Sequence, residues 1–518
     1  MNENTRRNHL SSPLAMRPED FRAAGYLLVN KIAQFLEELP DKPVTTAAQP
    51  AEIKAILGNA PLPLYGEPVH HLIEEATHLL FRHSLFNGHP RFWGYITSSA
   101  SPISALADML AAAVNSNVGA FSLSPMATEI EKQTVKWLAE LIYYPADCGG
   151  IFVSGGNMAN FLGFLAARKA KTPGDIRKKG LSAFIKHSTS KIWGKPNELS
   201  QARQLTVYCA KGTHTWIQKA ADLFGHGTDS IRWININENQ QMDIADLKRQ
   251  LELDLAQGHV PFLVVGNAGS VSTGTVDDLT AISNIARHYN LWFHIDGAYG
   301  APAAALPENA ALFAGLQAAD SIALDPHKWL YSALEAGCIL VKNPQHLLDA
   351  FSFQPDYYNF NGDGKVAPTN YHEYGMQNSR GFRALKVWLE LKQAGKLGYI
   401  DMIRDDISLA RNLFELVESH PELEAVSQNL SITTFRYIPQ ELPEEGVEAY
   451  INEVNEVLLN RLQAGGDVFL SNAIIDGKYC LRVCIVNFRT TLNDVMALVN
   501  IVIREGKFAE STLQAIVI

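Results

Sequence analysis

Lys328 closes an apolar run, Ser321-Ile322-Ala323-Leu324, that reads as a buried strand and passes into Asp325-Pro326-His327-Lys328-Trp329-Leu330. An ammonium among bulky apolar groups at a strand end is costly to desolvate, so burial drives it toward the neutral amine. A neutral amine there attacks an aldehyde and holds it as a Schiff base. A lone lysine at such a place more often reaches past its neighbours to water, so a second group has to decide.

That group stands upstream. Leu291-Trp292-Phe293-His294-Ile295-Asp296 is another apolar strand ending in a carboxylate, followed by Gly297-Ala298-Tyr299-Gly300. Alone, Asp296 reads equally as a turn or helix-capping residue. Together, the two residues supply what pyridoxal phosphate requires: a lysine for its aldehyde carbon and a carboxylate that keeps its pyridine nitrogen protonated. Pro307 to Ala319 reads as a helix-length connection between the strands, so both would run parallel and open on one sheet edge, where ligands bind. A third segment, Gly150-Ile151-Phe152-Val153-Ser154-Gly155-Gly156-Asn157, is a strand entering a glycine turn, with helical spacing over Met158 to Ala170. Such a turn lets backbone N–H groups approach a phosphate at a helix N-terminus, and Asn157 either caps the helix or donates its amide. A fourth, Lys211-Gly212-Thr213-His214-Thr215-Trp216, follows the strand-like Leu205 to Cys209 and places His214 to lay its ring on a flat heterocycle.

The elements that must position these groups are legible in outline. Pro18 to Leu39 reads as an amphipathic helix, Asp41 to Pro68 as a proline-rich link, and helices recur over Val69 to Phe81, Ser101 to Val114 and Met126 to Ile142. From Gly150 to Val341 apolar strands alternate with helical patterns, the mark of a mostly parallel sheet. Lys171 to Gln204 is a polar, Lys-rich excursion. A long helix from Arg380 to about Lys396 leads to alternating helices and strands, among them Leu430 to Tyr437 and Tyr479 to Asn487. The division expected is an N-terminal helical segment over 1–100, a large α/β domain over 101–395 and a small C-terminal α+β domain over 396–518. Gly266, Gly269 and Gly274 do not have the spacing of a dinucleotide-binding turn.

Composition narrows the field. With 518 residues, 47% hydrophobic and 19% charged, the chain is of ordinary globular type. A net charge of −10 argues against nucleic-acid or anionic-membrane partners, and no apolar run approaches a membrane span. Five scattered cysteines, none in a Cys-x-x-Cys pair or beside a metal partner, with no leader-like start, point to a reducing cytoplasm and no metal site.

The four segments in this order resemble the group II pyridoxal phosphate-dependent amino-acid decarboxylases, from about Asp20 to about Gly506. Asn87-Gly88-His89-Pro90, Ser124-Pro125-Met126-Ala127-Thr128-Glu129, Arg380-Gly381-Phe382-Arg383-Ala384-Leu385-Lys386 and Leu481-Arg482-Val483-Cys484 strengthen the likeness. The resemblance implies fold type I of the PLP-dependent transferases, an α/β fold with a mostly parallel central sheet, and a homodimer with sites at the subunit boundary. It makes Lys328 the Schiff-base lysine, Asp296 the partner of the pyridine nitrogen and His214 the imidazole on the ring. It gives Gly156, Asn157 and Asp325 phosphate contacts, packs Ala298 against the ring, makes His327 a supporting or phosphate contact and offers Arg482 to a substrate carboxylate. The proton donor of that family is a tyrosine on a mobile loop, and Phe353 to Gly364 reads as that loop. Tyr357 aligns best, with Tyr358 beside it; a tyrosine there favours amine over aldehyde. Val271 stands where the family often has a second threonine, leaving Ser270 or Ser272 to supply the hydroxyl.

The pocket wall expected from the resemblance involves Trp93, Tyr95, Ile96, Thr97 and Ser98, with Val118, Ala120 and Phe121 from the same or the partner chain. Aromatic groups there suit an aromatic substrate, whereas an acidic one would need a free cation, for which Arg91 is the candidate. The reading is decarboxylation of an L-amino acid, an aromatic one before an acidic one, to amine and carbon dioxide. An aldehyde synthase or carbon–carbon lyase on the same scaffold is the alternative. A non-catalytic binding protein fits poorly, because the lysine, aspartate and histidine are all present.

Overall fold

The computed structural model describes residues 12–172, 174–181, 203–353 and 368–517. Its larger sheet has the strand order β1-β7-β6-β5-β4-β2-β3. These strands are β1 Gly149–Val153, β2 Leu205–Ala210, β3 Ile231–Ile234, β4 Val260–Asn267, β5 Trp292–Asp296, β6 Ser321–Leu324 and β7 Gly337–Val341. The run β3-β2-β4-β5-β6 is parallel, while β7 lies antiparallel to both β6 and β1. β1, β2, β6 and β7 are buried along their whole length, which is why they read as near-continuous apolar runs rather than alternating ones. β7 reverses because no crossover helix separates it from β6.

The expected helix over Pro307 to Ala319 does not form. The crossover from β5 to β6 is made by 3₁₀ turns at Ala301–Ala305, Pro307–Asn309 and Leu316–Ala318. Pro302 and Pro307 limit helix extension. Gly315 sits at φ +95°, where an added Cβ would stand 2.5 Å from the Thr280 nitrogen. The parallel register survives the change of element.

The helices before the sheet are α1 Pro18–Glu38, α2 Pro50–Leu57, α3 Val69–His83, α4 Pro102–Val114 and α5 Pro125–Leu141; α6 Gly156–Lys171 follows β1. α2 lies in what the sequence presents as a link. Pro50 occupies its first turn and the Glu52 carboxylate accepts the Gln49 N–H at 2.7 Å, a capping box that starts the helix despite the prolines around it. α1 and α3 meet through Phe35 and Phe81, stacked 4.3 Å apart.

The smaller sheet is antiparallel, ordered β10-β11-β9-β8, with β8 Leu423–Asn429, β9 Ile432–Tyr437, β10 Ser471–Ile475 and β11 Lys478–Cys484. Helices Val447–Gly465 and Leu492–Val517 accompany it. Phe92 bridges Phe469, and Trp93 is buried in this second core with its indole N–H donated to Thr490. Trp93 therefore anchors the smaller sheet rather than walling a pocket. The helix expected to end near Lys396 runs as Ala384–Glu418, bending at Gly395 with φ 66°.

A buried ion pair ties the first layers together: Arg380 donates to the Glu131 carboxylate and to the carbonyls of Val118 and Phe152. Two further buried carboxyls lie on the long helix. Glu390 accepts from Ser101 and Ser332, and Asp406 accepts from Trp329 and Tyr331. Burial pushes both up to about 7, against the hydroxyl and indole donors that favour ionisation. Between about pH 4, where carboxyls of the unfolded chain ionise, and about pH 7, the folded chain binds more protons than the unfolded one. These groups therefore withdraw stability as pH rises through that window and change nothing above it. Asp406→Asn removes one contribution, so its urea midpoint should fall less than wild type between about pH 5 and about pH 7.5; an identical fall in both proteins contradicts the assignment.

Candidate active site

A cavity of about 410 Å³ opens where β5 and β6 end side by side. Asp296 pairs with Ala323, and the Gly297 N–H donates to the Ala323 carbonyl. Past β6, the Lys328 N–H turns back to the Asp325 carbonyl at 2.8 Å, which brings Lys328 over the same edge. β1 delivers the glycine turn and the start of α6, and β2 delivers His214. Gly156, Asn157, His214, Asp296, Ala298, Asp325, His327 and Lys328 all line this one cavity.

Asp296 is held from two sides. The Trp216 indole N–H donates to one carboxylate oxygen at 2.7 Å and the Ala298 N–H to the other at 3.2 Å. His214 accepts the Trp216 backbone N–H on Nδ1 at 3.2 Å. A backbone N–H can only donate, so the proton of the neutral ring sits on Nε2. Desolvation lowers the His214 pKa, partly opposed by Asp296, and keeps the ring neutral near pH 7. His327 has the same tautomer, since Nδ1 accepts the Ala336 N–H at 2.9 Å, and burial lowers its pKa too.

Asp325 is buried, and neither carboxylate oxygen has a hydrogen-bond partner among the described residues. Its near neighbours are Lys328 Nζ at 3.2 Å and His327 Nε2 at 3.6 Å. A carboxylate beside a phosphate would be repelled, so this geometry directs Asp325 to the lysine and the histidine. Gly156 has no room for a side chain: a Cβ would stand 2.6 Å from the Asp325 carboxylate. On the far side, Gly337 opens β7 directly against Gly155, where a Cβ would meet its backbone at 2.5 Å.

The expected pocket wall is redistributed. Ile96 lines the cavity, whereas Thr97 and Ser98 face a neighbouring one of about 300 Å³, with Ser98 donating to the His327 carbonyl. Val118 and Ala120 are buried, and the Phe121 N–H is held by Asn370. The Tyr95 ring is exposed, and its carbonyl accepts from Arg482. Arg482 also donates to Ser471 and does not line the cavity, so it joins strand to loop here. Arg91 is paired with Asp494 at 2.9 Å. Of the two serines, Ser270 lines the cavity beside Val271, its hydroxyl 2.7 Å from that of Thr273. Tyr357 and Tyr358 lie outside the described residues, as does most of the Lys-rich excursion.

Several supporting residues escape a reading of motifs. Trp216 showed only as part of a helix start. His294, buried in β5, is flanked by Ser321 and Asn160 at 2.7 Å on its two ring nitrogens, and burial lowers its pKa to about 4. Asn267 closes β4 with its amide on Thr213 and Asp277. Their partners stand 10 to 134 residues away, so no local spacing announces them.

A lysine and a carboxylate on adjacent parallel strand ends, a glycine turn opening a helix and a neutral imidazole around one cavity define a fold type I pyridoxal phosphate enzyme. The residues fit that cofactor: Lys328 and Asp296 line one cavity, the glycine turn leaves its backbone accessible to it, and Asp296 is held in place by the Trp216 and Ala298 N–H groups. Residues 50–438 match the family described as "Pyridoxal-dependent decarboxylase conserved domain", and the chain belongs to it. It is 30% identical over 488 residues to an aromatic-L-amino-acid decarboxylase of Bacillus atrophaeus, covering 94% of this chain and 95% of that protein. It is 28% identical to a phenylacetaldehyde synthase of a Rosa hybrid cultivar, covering 90% of each. A crystal structure of Catharanthus roseus tryptophan decarboxylase with L-tryptophan superposes with a TM-score of 0.83 at 26% identity, covering 96% of this chain and 100% of that one. The protein is a pyridoxal phosphate-dependent carboxy-lyase.

Two substitutions test the site. Lys328→Ala should abolish the visible absorption band of the cofactor-loaded protein, and a band that persists removes the lysine from its role. Trp216→Phe takes away the indole donor to Asp296 and should weaken cofactor retention about tenfold, as expected for a hydrogen bond to a charged group; equilibrium dialysis checks it.

Proposed function

We propose that this chain converts an aromatic L-amino acid to the corresponding amine and carbon dioxide. The observation that carries the substrate class is the charge inventory around the cavity. Among the described residues lining it, Lys328 is the one lysine or arginine, and Glu335 contributes a carboxylate held by Arg383 at 2.9 Å. Arg91, the cation an acidic substrate would use, is committed to Asp494. An acidic side chain would enter with no free counter-charge, which is unfavourable in a partly desolvated site. The decarboxylases of B. atrophaeus and C. roseus support the same class.

Bound pyridoxal phosphate supplies an electrophilic carbon and a protonated ring that accepts the electron pair released when a carboxylate leaves. The protein decides which bond that is and what replaces it. Lys328 would hold the cofactor through its amine. Asp296 would hold the ring proton in place, with Trp216 and Ala298 fixing its direction. Gly156, Asn157 and the N-terminus of α6 would receive the phosphate, with His327 adjoining, Asp325 would face Lys328 and His327, and Ala298 would pack on the ring. His214 would lie against the cofactor and offer its Nε2–H to the substrate carboxylate, orienting it. Tyr357, with Tyr358 as the alternative, returns a proton to the α-carbon.

The reading includes a homodimer and a cytoplasmic setting. Leu106, Met109, Leu110 and Val114 leave apolar surface exposed along α4, with Leu123 and Met126 beyond it, which suits a second copy. The cysteines of the described chain are free thiols, and no helix among the described residues is long and apolar enough to cross a membrane.

Aldehyde synthesis is the second reading, supported by the likeness to the Rosa phenylacetaldehyde synthase. Product analysis of the loaded enzyme against aromatic, acidic, basic and sulfur-containing L-amino acids separates them. Equimolar amine and carbon dioxide from aromatic members is the expected result; aldehyde, ammonia and peroxide identify a synthase, and turnover of acidic members alone refutes the pocket assignment. Tyr357→Phe should shift product from amine toward aldehyde, and an unchanged amine yield transfers the donor role to Tyr358.

A further inference from the structure

Lys328 sits in an irregular connection between β6 and β7, with neither strand nor helix to hold it. Its side chain is 23% exposed and its near partner is Asp325. Precise placement of its amine must therefore come from the residues that follow it. Trp329 is fully buried and stacks on Tyr299, with centroids 4.9 Å apart and planes within 8°. Tyr331 holds a left-handed backbone, φ +58°, a conformation unfavourable for a non-glycine residue that persists only when its surroundings enforce it.

The enforcement comes from one helix. Trp329 Nε1 at 2.9 Å and the Tyr331 hydroxyl at 2.7 Å donate to the same oxygen of Asp406, and the Asn487 backbone adds a further bond from beyond β11. One residue on, Ser332 donates to Glu390, which also receives Ser101 from the start of α4. Glu390 and Asp406 stand on the same helix, Ala384–Glu418, on either side of its bend at Gly395. Neither lines the cavity.

We propose that Asp406 and Glu390 are positioning residues for Lys328, gripping the three side chains at 329, 331 and 332 so that its amine meets the cofactor aldehyde in register with Asp296. The inference rests on the assignment of Lys328 as the cofactor-binding lysine. Asp406 fixes the plane of Trp329 and the strained turn at Tyr331, and Glu390 fixes the exit at Ser332. Both carboxyls are satisfied by donors from the lysine segment, so removing either leaves those donors unpaired as well as freeing the turn.

The test measures cofactor capture as well as turnover. Asp406→Asn and Glu390→Gln keep the shape of each group. In apoprotein mixed with pyridoxal phosphate, each should slow growth of the visible band about tenfold, and kcat should fall more than KM changes. Val454→Ala, in the core of the smaller sheet, supplies a variant of comparable instability that should capture cofactor at the wild-type rate. If Asp406→Asn fails to fold, Tyr331→Phe and Ser332→Ala remove single contacts and should show the same slowing in milder form. In a double-mutant cycle, Tyr331→Phe should add little to Asp406→Asn. Wild-type capture rates in the carboxyl variants, or equal slowing in Val454→Ala, overturn the proposal. A wild-type protein that captures cofactor normally but releases no carbon dioxide would instead sink the reaction assigned above and leave this test standing.

Discussion

When His294, Ile295 and Asp296 pair in parallel with Ser321, Ile322 and Ala323, two successive strands of the chain finish at the same height on the same edge. Everything in the site is arranged around that pairing. It places a carboxylate and, a short turn later, a lysine over one cavity, and the neighbouring strand ends bring the glycine turn and the imidazole to the same rim. A sheet whose strands are buried along their length cannot slip by a residue without turning its side chains to the opposite face. The distance between acid and amine is thus protected by the hydrophobic core beneath it.

The polar groups near the cavity are organised so that each has a direction. Asp296 is aimed by an indole and a backbone N–H, and His214 and His327 each have their tautomer set by a backbone donor that leaves Nε2–H free. Burial depresses both imidazoles, so neither adds positive charge where a carboxylate must become neutral carbon dioxide. Asp325 is the exception: its buried oxygens have no hydrogen-bond donor among the described residues, and its near neighbours are the Lys328 amine and His327. A desolvated carboxylate of that kind makes sense beside Lys328 and His327, where its charge is matched once the site is filled.

Behind the site the structure uses charge differently. Glu131 and Arg380 form a buried pair that ties α5, β1 and the loop before the long helix, and breaking such a pair typically costs about 3–5 kcal/mol because the surviving charge is stranded. Among the described residues Asp406 and Glu390 have no cation at hydrogen-bonding distance and are held by neutral donors instead. Burial outweighs those donors and holds both carboxyls well above the usual carboxylate range, so two acids can lie against the segment that carries the lysine without a cation beside them.

Much of the site was legible because its chemistry is local. Asp-Pro-His-Lys-Trp, the strand ending in Asp296, the Gly-Gly-Asn turn and the histidine before Trp216 each combine an apolar run with a reactive residue at its end, and a sheet places strand ends together. The parallel sheet and the order of its parts were readable for the same reason. Failures came where meaning depends on a distant partner. Trp93 lies in an aromatic stretch that suits a pocket wall, yet its indole is satisfied by Thr490 in another layer. Arg91 carries a charge that looks free until Asp494 is brought beside it. Pro307 to Ala319 has helical length, but its conformation is decided by prolines and by a close approach at Gly315. The amino-acid order by itself thus determined which chemical groups the protein owns and which strand ends carry them, since side-chain type and apolar periodicity are properties of neighbouring residues. Tertiary structure alone decided how those groups are aimed and which charges remain free, because hydrogen-bond partners and burial arise only when segments hundreds of residues apart meet.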